Sequence, residues 1–282
     1  MNKRILIILA VVFLAASCTE KINLKLDSTY TRLVVDGHIK SDTGVYSINL
    51  TKTSDYFSDA PAPRMVNAVV SLSDGTNTFP LTETVPGQSG IYNTDPKSAG
   101  TIGKTYTLHI TLPEVIAGTT EYSASSQLIH VTRLDSIQSV FRTDLGKDGV
   151  WQVKIYAQDP PGTKNYYMLN LYRNNILWSD TINKVSVSDN QFYAGNYIDG
   201  AAVFFINNSH TWETLYVGDT IMVELSAITK EYYDFINQVK QAGFSIPFFT
   251  GPPANVQGNV SNQGVGFFAA YSSSFAKAVV KQ

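Results

Sequence analysis

The chain has 282 residues, 16% of them charged, and a formal net charge of −2. It has no basic stripe, which excludes electrostatic attraction to nucleic acid or to an anionic membrane surface. Its 16 Tyr and 14 Phe favour strands, and its single cysteine leaves no internal disulfide, so stability must come from apolar burial.

In chain order, Lys3 and Arg4 form a basic head, followed by an apolar run from Ile5 to Ala16. A membrane-spanning helix needs ~20 apolar residues; this run is shorter and predicts a signal peptide over residues 1–17. It ends in Leu14-Ala15-Ala16-Ser17-Cys18, which resembles a lipobox with its leucine one place further out than usual. Cys18 is then the expected lipidation site and first residue of the mature protein. One acyl chain anchors only marginally, whereas two or more give stable attachment. Residues 18–30 read as a lipidated polar tether.

Leu33, Val35, Gly37 and Ile39 alternate with Val34, Asp36, His38 and Lys40, the period of a half-buried strand. Further strands are expected at Tyr46–Leu50, Val66–Leu72, Phe79–Leu81, Ile91–Tyr92, Thr105–Ile110 and Tyr122–Val131, with Asp74-Gly75 as a hairpin turn. Short strands at regular spacing predict a β-sandwich over residues 31–131. Residues 132–282 predict a second β-rich domain, with strands at Trp151–Tyr156, Tyr166–Tyr172, Ile176–Val187, Ala201–Ile206 and Thr220–Ile228. One α-helix is expected near residues 229–242. Thr229 is its cap, Gly243 its C-terminal stop, and Tyr232, Phe235, Ile236 and Val239 keep a 3.6-residue period. A loop over 247–255 and a strand pair, Val256–Val260 and Val265–Tyr271, complete a mainly β fold of two sandwich-like domains.

Motifs for chemistry are weak. His38, His109, His130 and His210 are scattered, without the short spacings of a zinc site, and His109 is expected to face solvent. Gly103-Lys104-Thr105 imitates the end of a P-loop, but Ser98 stands in place of the first glycine. Ser274-Phe275-Ala276-Lys277 has a serine–lysine spacing without its partner motifs. Gly264-Val265-Gly266 lies in a strand pattern rather than a βαβ unit. Asp144 and Asp148-Gly149 read better as a hairpin turn than as a calcium loop. No metal, cofactor or catalytic residue is therefore expected. Trp151, Trp178, Trp212, Tyr166 and Tyr167 are either core or a sugar-stacking platform. The candidate partner-binding loop is Pro252, Pro253, Ala254 and Asn255, where a preformed polyproline conformation offers a low-entropy surface.

Asn67-Ala68-Val69-Val70-Ser71-Leu72-Ser73-Asp74-Gly75, Gly90-Ile91-Tyr92 and Gly103–Leu108 resemble an immunoglobulin- or transthyretin-like sandwich. Lys230–Phe235, Pro252–Val256, Gly258-Asn259-Val260 and Gly264–Tyr271, with the lipobox, resemble the Bacteroidetes lipoprotein family of domain of unknown function 4249. Asn259-Val260-Ser261-Asn262 departs locally from that family's asparagine-isoleucine-glutamate-glycine. The resemblance implies an envelope role, often beside TonB-dependent transporters, and no catalytic residues. The expected function is that of an outer-membrane, lipid-anchored accessory subunit of a TonB-dependent β-barrel transporter. The alternative is an independent adhesin or glycan-binding lipoprotein. Thr19-Glu20-Lys21, just after the anchor, tips the expectation towards the cell surface over the periplasmic face. Ser28, Ser136, Thr181 and Thr220 each follow an aspartate and precede Thr or Ile, resembling an envelope O-glycosylation motif of that phylum.

Overall fold

Strand β1 (Leu33–Lys40) buries Leu33, Val35, Gly37 and Ile39 on one face, as its alternation predicts. The computed structural model describes residues 31–54, 60–209, 212–243 and 256–281. Strands β2 (Ser47–Lys52), β3 (Val69–Ser73), β4 (Thr78–Glu83), β5 (Ile91–Asn93), β6 (Thr105–Ile116) and β7 (Thr119–Gln127) follow. The β3–β4 turn is the expected Asp-Gly hairpin. Gly75 has φ +85°, and the Asp74 carboxylate accepts from the amides of Thr76 (2.9 Å) and Asn77 (2.7 Å).

The second half of the chain contributes β8 (Leu134–Arg142), β9 (Val150–Gln158), β10 (Tyr166–Arg173), β11 (Ile176–Leu177), β12 (Ser186–Asp189), β13 (Tyr197–Asn207), β14 (Thr220–Ile228), α1 (Lys230–Gly243) and β15 (Val265–Val279). The single strand expected over Ile176–Val187 is two short ones. Ser179 is buried and its hydroxyl accepts from the Leu171 amide at 3.1 Å, which turns the chain between them. The expected strand Val256–Val260 reduces to one bridge, Ala124↔Val260. β15 instead runs on to Val279, well past the expected end at Tyr271.

The protein is mainly β, with two sheets. The larger has twelve strands, ordered β11-β10-β14-β15-β1-β2-β5-β4-β3-β6-β7, with β12 also paired to β10. The smaller is β13-β9-β8. β15 joins the halves of the larger sheet. Its first part pairs in parallel with β1 (Val34↔Val265 to Lys40↔Tyr271), and its second part antiparallel with β14 (Thr220↔Val279 to Ala227↔Ser272). A parallel pair needs a long crossover, and here nearly the whole chain provides it.

Side-chain alternation along β15 distributes its residues among three cores. Phe268 and Ala270 enter a cluster built from β1–β7, and Ala276 enters one built from β8–β10, β13 and β14. Phe267, Ala269 and Tyr271 point to the opposite face and meet α1. There Ile236 is fully buried, and the rings of Tyr232 and Phe235 sit 4.8 and 5.2 Å from that of Phe267. Burying Ile236 contributes about 1.5–3 kcal/mol. The Thr229 hydroxyl accepts from the Tyr232 amide at 3.3 Å, the expected cap.

Candidate functional site

A cleft of about 500 Å³ lies where β7, the start of β10 and the first turn of α1 meet. Ser125 and Gln127 come from β7, Tyr166 from β10 and Lys230 and Glu231 from α1. Tyr166 packs on Tyr233 of α1 with ring centroids 5.1 Å apart, which fixes an aromatic wall. The two amines are paired, Lys230 with Asp234 and Lys164 with Asp189 at 3.7 Å, and Glu231 adds a carboxylate to the lining. Its edge is held by Asn259. The Asn259 amide donates to the carbonyls of Ser125 (2.9 Å) and Phe268 (2.8 Å), and its oxygen accepts from the Phe268 amide (2.9 Å). One side chain thus stands in for the strand pairing that this stretch lacks. The Gln257 amide donates to Gln238 of α1 at 2.8 Å, which pins the same stretch to the helix. Hydroxyls, amides and an aromatic face suit recognition of an uncharged polar ligand or an extended polypeptide.

A second polar group lies on the helix-facing side of the sheet. Glu224 is 1% exposed. It accepts from Lys40 (2.8 Å), Tyr172 (2.9 Å) and Ser273 (2.9 Å). Burial pushes its carboxyl up, but the Lys40 charge and these hydrogen bonds outweigh burial and hold it below the usual carboxylate range. Beside it, His38 stacks on Tyr271 with centroids 5.4 Å apart, and Tyr46 meets it edge-on at 6.0 Å. Burial first, and Lys40 second, lower the His38 pKa despite Asp36, Glu224 and Asp42. Sequence reasoning missed this group. Its one local signal is the carboxylate of Glu224 set between the core residues Val223 and Leu225. Every oxygen of Glu224 is engaged, so the group's role is to tie β1 to β10, β14 and β15.

The predicted site residues disperse. Cys18, Ser28 and Pro252–Asn255 lie outside the described residues. Ser136 is exposed on β8, Thr181 is exposed in the turn before β12, and Thr220 is half-buried at the start of β14, its amide donating to Asn174 at 2.9 Å. His109 faces solvent as expected, and His130 is also exposed, while His210 lies outside the described residues.

The imitated motifs are structural. Lys104 is bound to Asp74 at 2.6 Å, Asp144 is clamped by Arg142 at the β8–β9 hairpin, and Ser274 accepts from the Leu134 amide at 2.9 Å. Ser274 and Lys277, three apart on a strand, point to opposite faces. Trp151 and Tyr167 are core residues, 6% exposed, and Trp178 packs against the same cluster with its indole N–H on the Glu213 carbonyl at 2.8 Å. Trp212 is 75% exposed, so the five aromatics do not share one surface. Among the described residues, no three His, Cys, Asp or Glu are placed to hold a metal, and no helix is long and apolar enough to cross a membrane.

A profile of the family described as domain of unknown function (DUF4249) matches residues 19–275. No curated protein matches the chain.

Proposed function

The chain belongs to the family of domain of unknown function DUF4249, and on that premise we propose that it is a lipid-anchored binding protein of the bacterial outer membrane, acting as an accessory subunit of a TonB-dependent transporter. The observation that carries this reading is the basic head, short apolar run and lone Cys18. The family match starts at residue 19, immediately after that cysteine, which supports a leader that is separate from the working domain. The cleft at the start of α1 supports a binding role, because its two amines are already paired and its hydroxyls, amides and aromatic face remain for a ligand. We read β1–β7 as immunoglobulin- or transthyretin-like, a reading supported by the alternating burial of β1, β3 and β6, and the lipidated protein as facing the cell surface.

A second reading, glycan binding without a barrel, draws on the outer face of β13-β9-β8. There Tyr156 donates to Gln138 at 2.9 Å, and Tyr197, 48% exposed, pairs with Gln158, two residues along β9 from Tyr156. Metabolic labelling with a fatty-acid analogue tests the anchor. Cys18→Ala should lose the label and leave the membrane fraction; undiminished label in the variant would sink the proposal.

A further inference from the structure

The sandwich formed by β13-β9-β8 against β10, β12 and β14 is open along one seam, where β12 and β13 each end a different sheet. Behind that seam is a cavity of about 290 Å³. Its floor is Ile155, Leu169, Ile198 and Leu225, all buried. The open seam makes it a recess with a buried apolar floor, which a small molecule can enter from the edge of the sandwich.

Ordered water does not suit its floor. A buried water needs two to four polar partners, and the polar side chains nearest the floor are already committed. The Tyr167 hydroxyl donates to Asp159 at 2.8 Å, and the Asn190 amide donates to Asp159 and to the Thr163 carbonyl, both at 2.8 Å. The mouth is different. Ser186 and Ser188 of β12 line it, paired with Leu169 and Tyr167 and so on the cavity's face of the strand. An apolar cavity of roughly 150 Å³ accepts benzene. Twice that space takes a ring system or short chain of roughly ten to twelve heavy atoms on the same scale.

We infer that this seam is a binding site for a small apolar molecule bearing one hydroxyl or amine, its apolar body between the sheets and its polar end at Ser186 and Ser188. The site goes beyond the anchoring and transporter reading and stands whether or not that reading holds.

The test uses 2-naphthol as probe and the full chain carrying Cys18→Ala, which keeps acyl groups and detergent out of the titration. Methyl NMR should show saturable shifts at Ile155, Leu169 and Leu225. Ala201→Phe fills the cavity, since Ala201 lies opposite Ile155 on the inner face, and Ser186→Trp blocks its mouth. Each should weaken binding at least tenfold with an unchanged melting temperature. If Ala201→Phe fails to fold, Ser186→Trp alone decides. Absence of shifts at those three methyls, shifts confined to other residues, or wild-type affinity in the folded variants would overturn the inference.

Discussion

Lys40→Met should be among the most damaging single substitutions outside the apolar core. The Lys40 side chain is 18% exposed and that of Glu224 only 2%, so removing the amine strands a carboxylate in a place that water does not reach. Breaking such a pair costs ~3–5 kcal/mol. Glu224 keeps its bonds from Tyr172 and Ser273, which points to the lower end, ~3 kcal/mol. With an m-value near ~3 kcal/mol/M for a chain of this size, the urea midpoint falls by ~1 M at pH 7. Pairing the change with Glu224→Gln removes the stranded charge and should recover most of the loss. The pH dependence gives a sharper check. In the native protein the Glu224 pKa lies below its ordinary value. Its contribution is therefore complete above ~4.3 and lost as pH falls through the lower folded value. Without Lys40, burial dominates and the folded pKa rises above the unfolded one. The variant's deficit should then shrink between pH 7 and pH 5. A midpoint within ~0.2 M of wild type by urea titration, or a double variant no more stable than Lys40→Met, would refute the assignment.

Two further outcomes follow from the same geometry. The lowered His38 pKa, due first to burial and then to Lys40, makes its neutral form stabilising above the unfolded value of ~6.5 and costs stability as pH falls through the lower folded value, at up to ~1.4 kcal/mol per pH unit. His38→Gln should therefore lose less between pH 7.5 and 5.5 than wild type in urea titrations; equal losses would remove His38 from the account. Gly266 has φ +93°, and a Cβ there would lie 2.0 Å from the Val35 carbonyl oxygen, inside the β1–β15 pairing. Gly266→Ala should cost more than ~3 kcal/mol. Gly75→Ala, at φ +85° with nothing within 4 Å, should cost only ~1 kcal/mol; comparable melting temperatures for the two would contradict the parallel join.

Elements whose faces differ in polarity were legible in the sequence. β1 and α1 announce themselves by period, and β14 matches its expected span, Thr220–Ile228. β15 was only half legible. From Phe267 to Ser272 it is buried on both faces, which erases alternation, and its partner β1 lies more than two hundred residues away in the chain. Asn259 replaces backbone pairing with its side chain, so residues 256–260 carry strand-like composition without being a strand. The polar groups were less legible still. Lys40 and Glu224 are 184 residues apart, and only the β1–β15–β14 order brings them together. The seam cavity depends on which strands end each sheet, information that local pattern does not carry.

The central claim, a lipid-anchored binding subunit that works with an outer-membrane barrel, is tested most directly by affinity purification of the tagged protein from native membranes after mild cross-linking. Near-stoichiometric recovery of one large β-barrel transporter is expected, and it should be lost with Cys18→Ala. Recovery from the soluble fraction, or from membranes with no barrel attached, would contradict it.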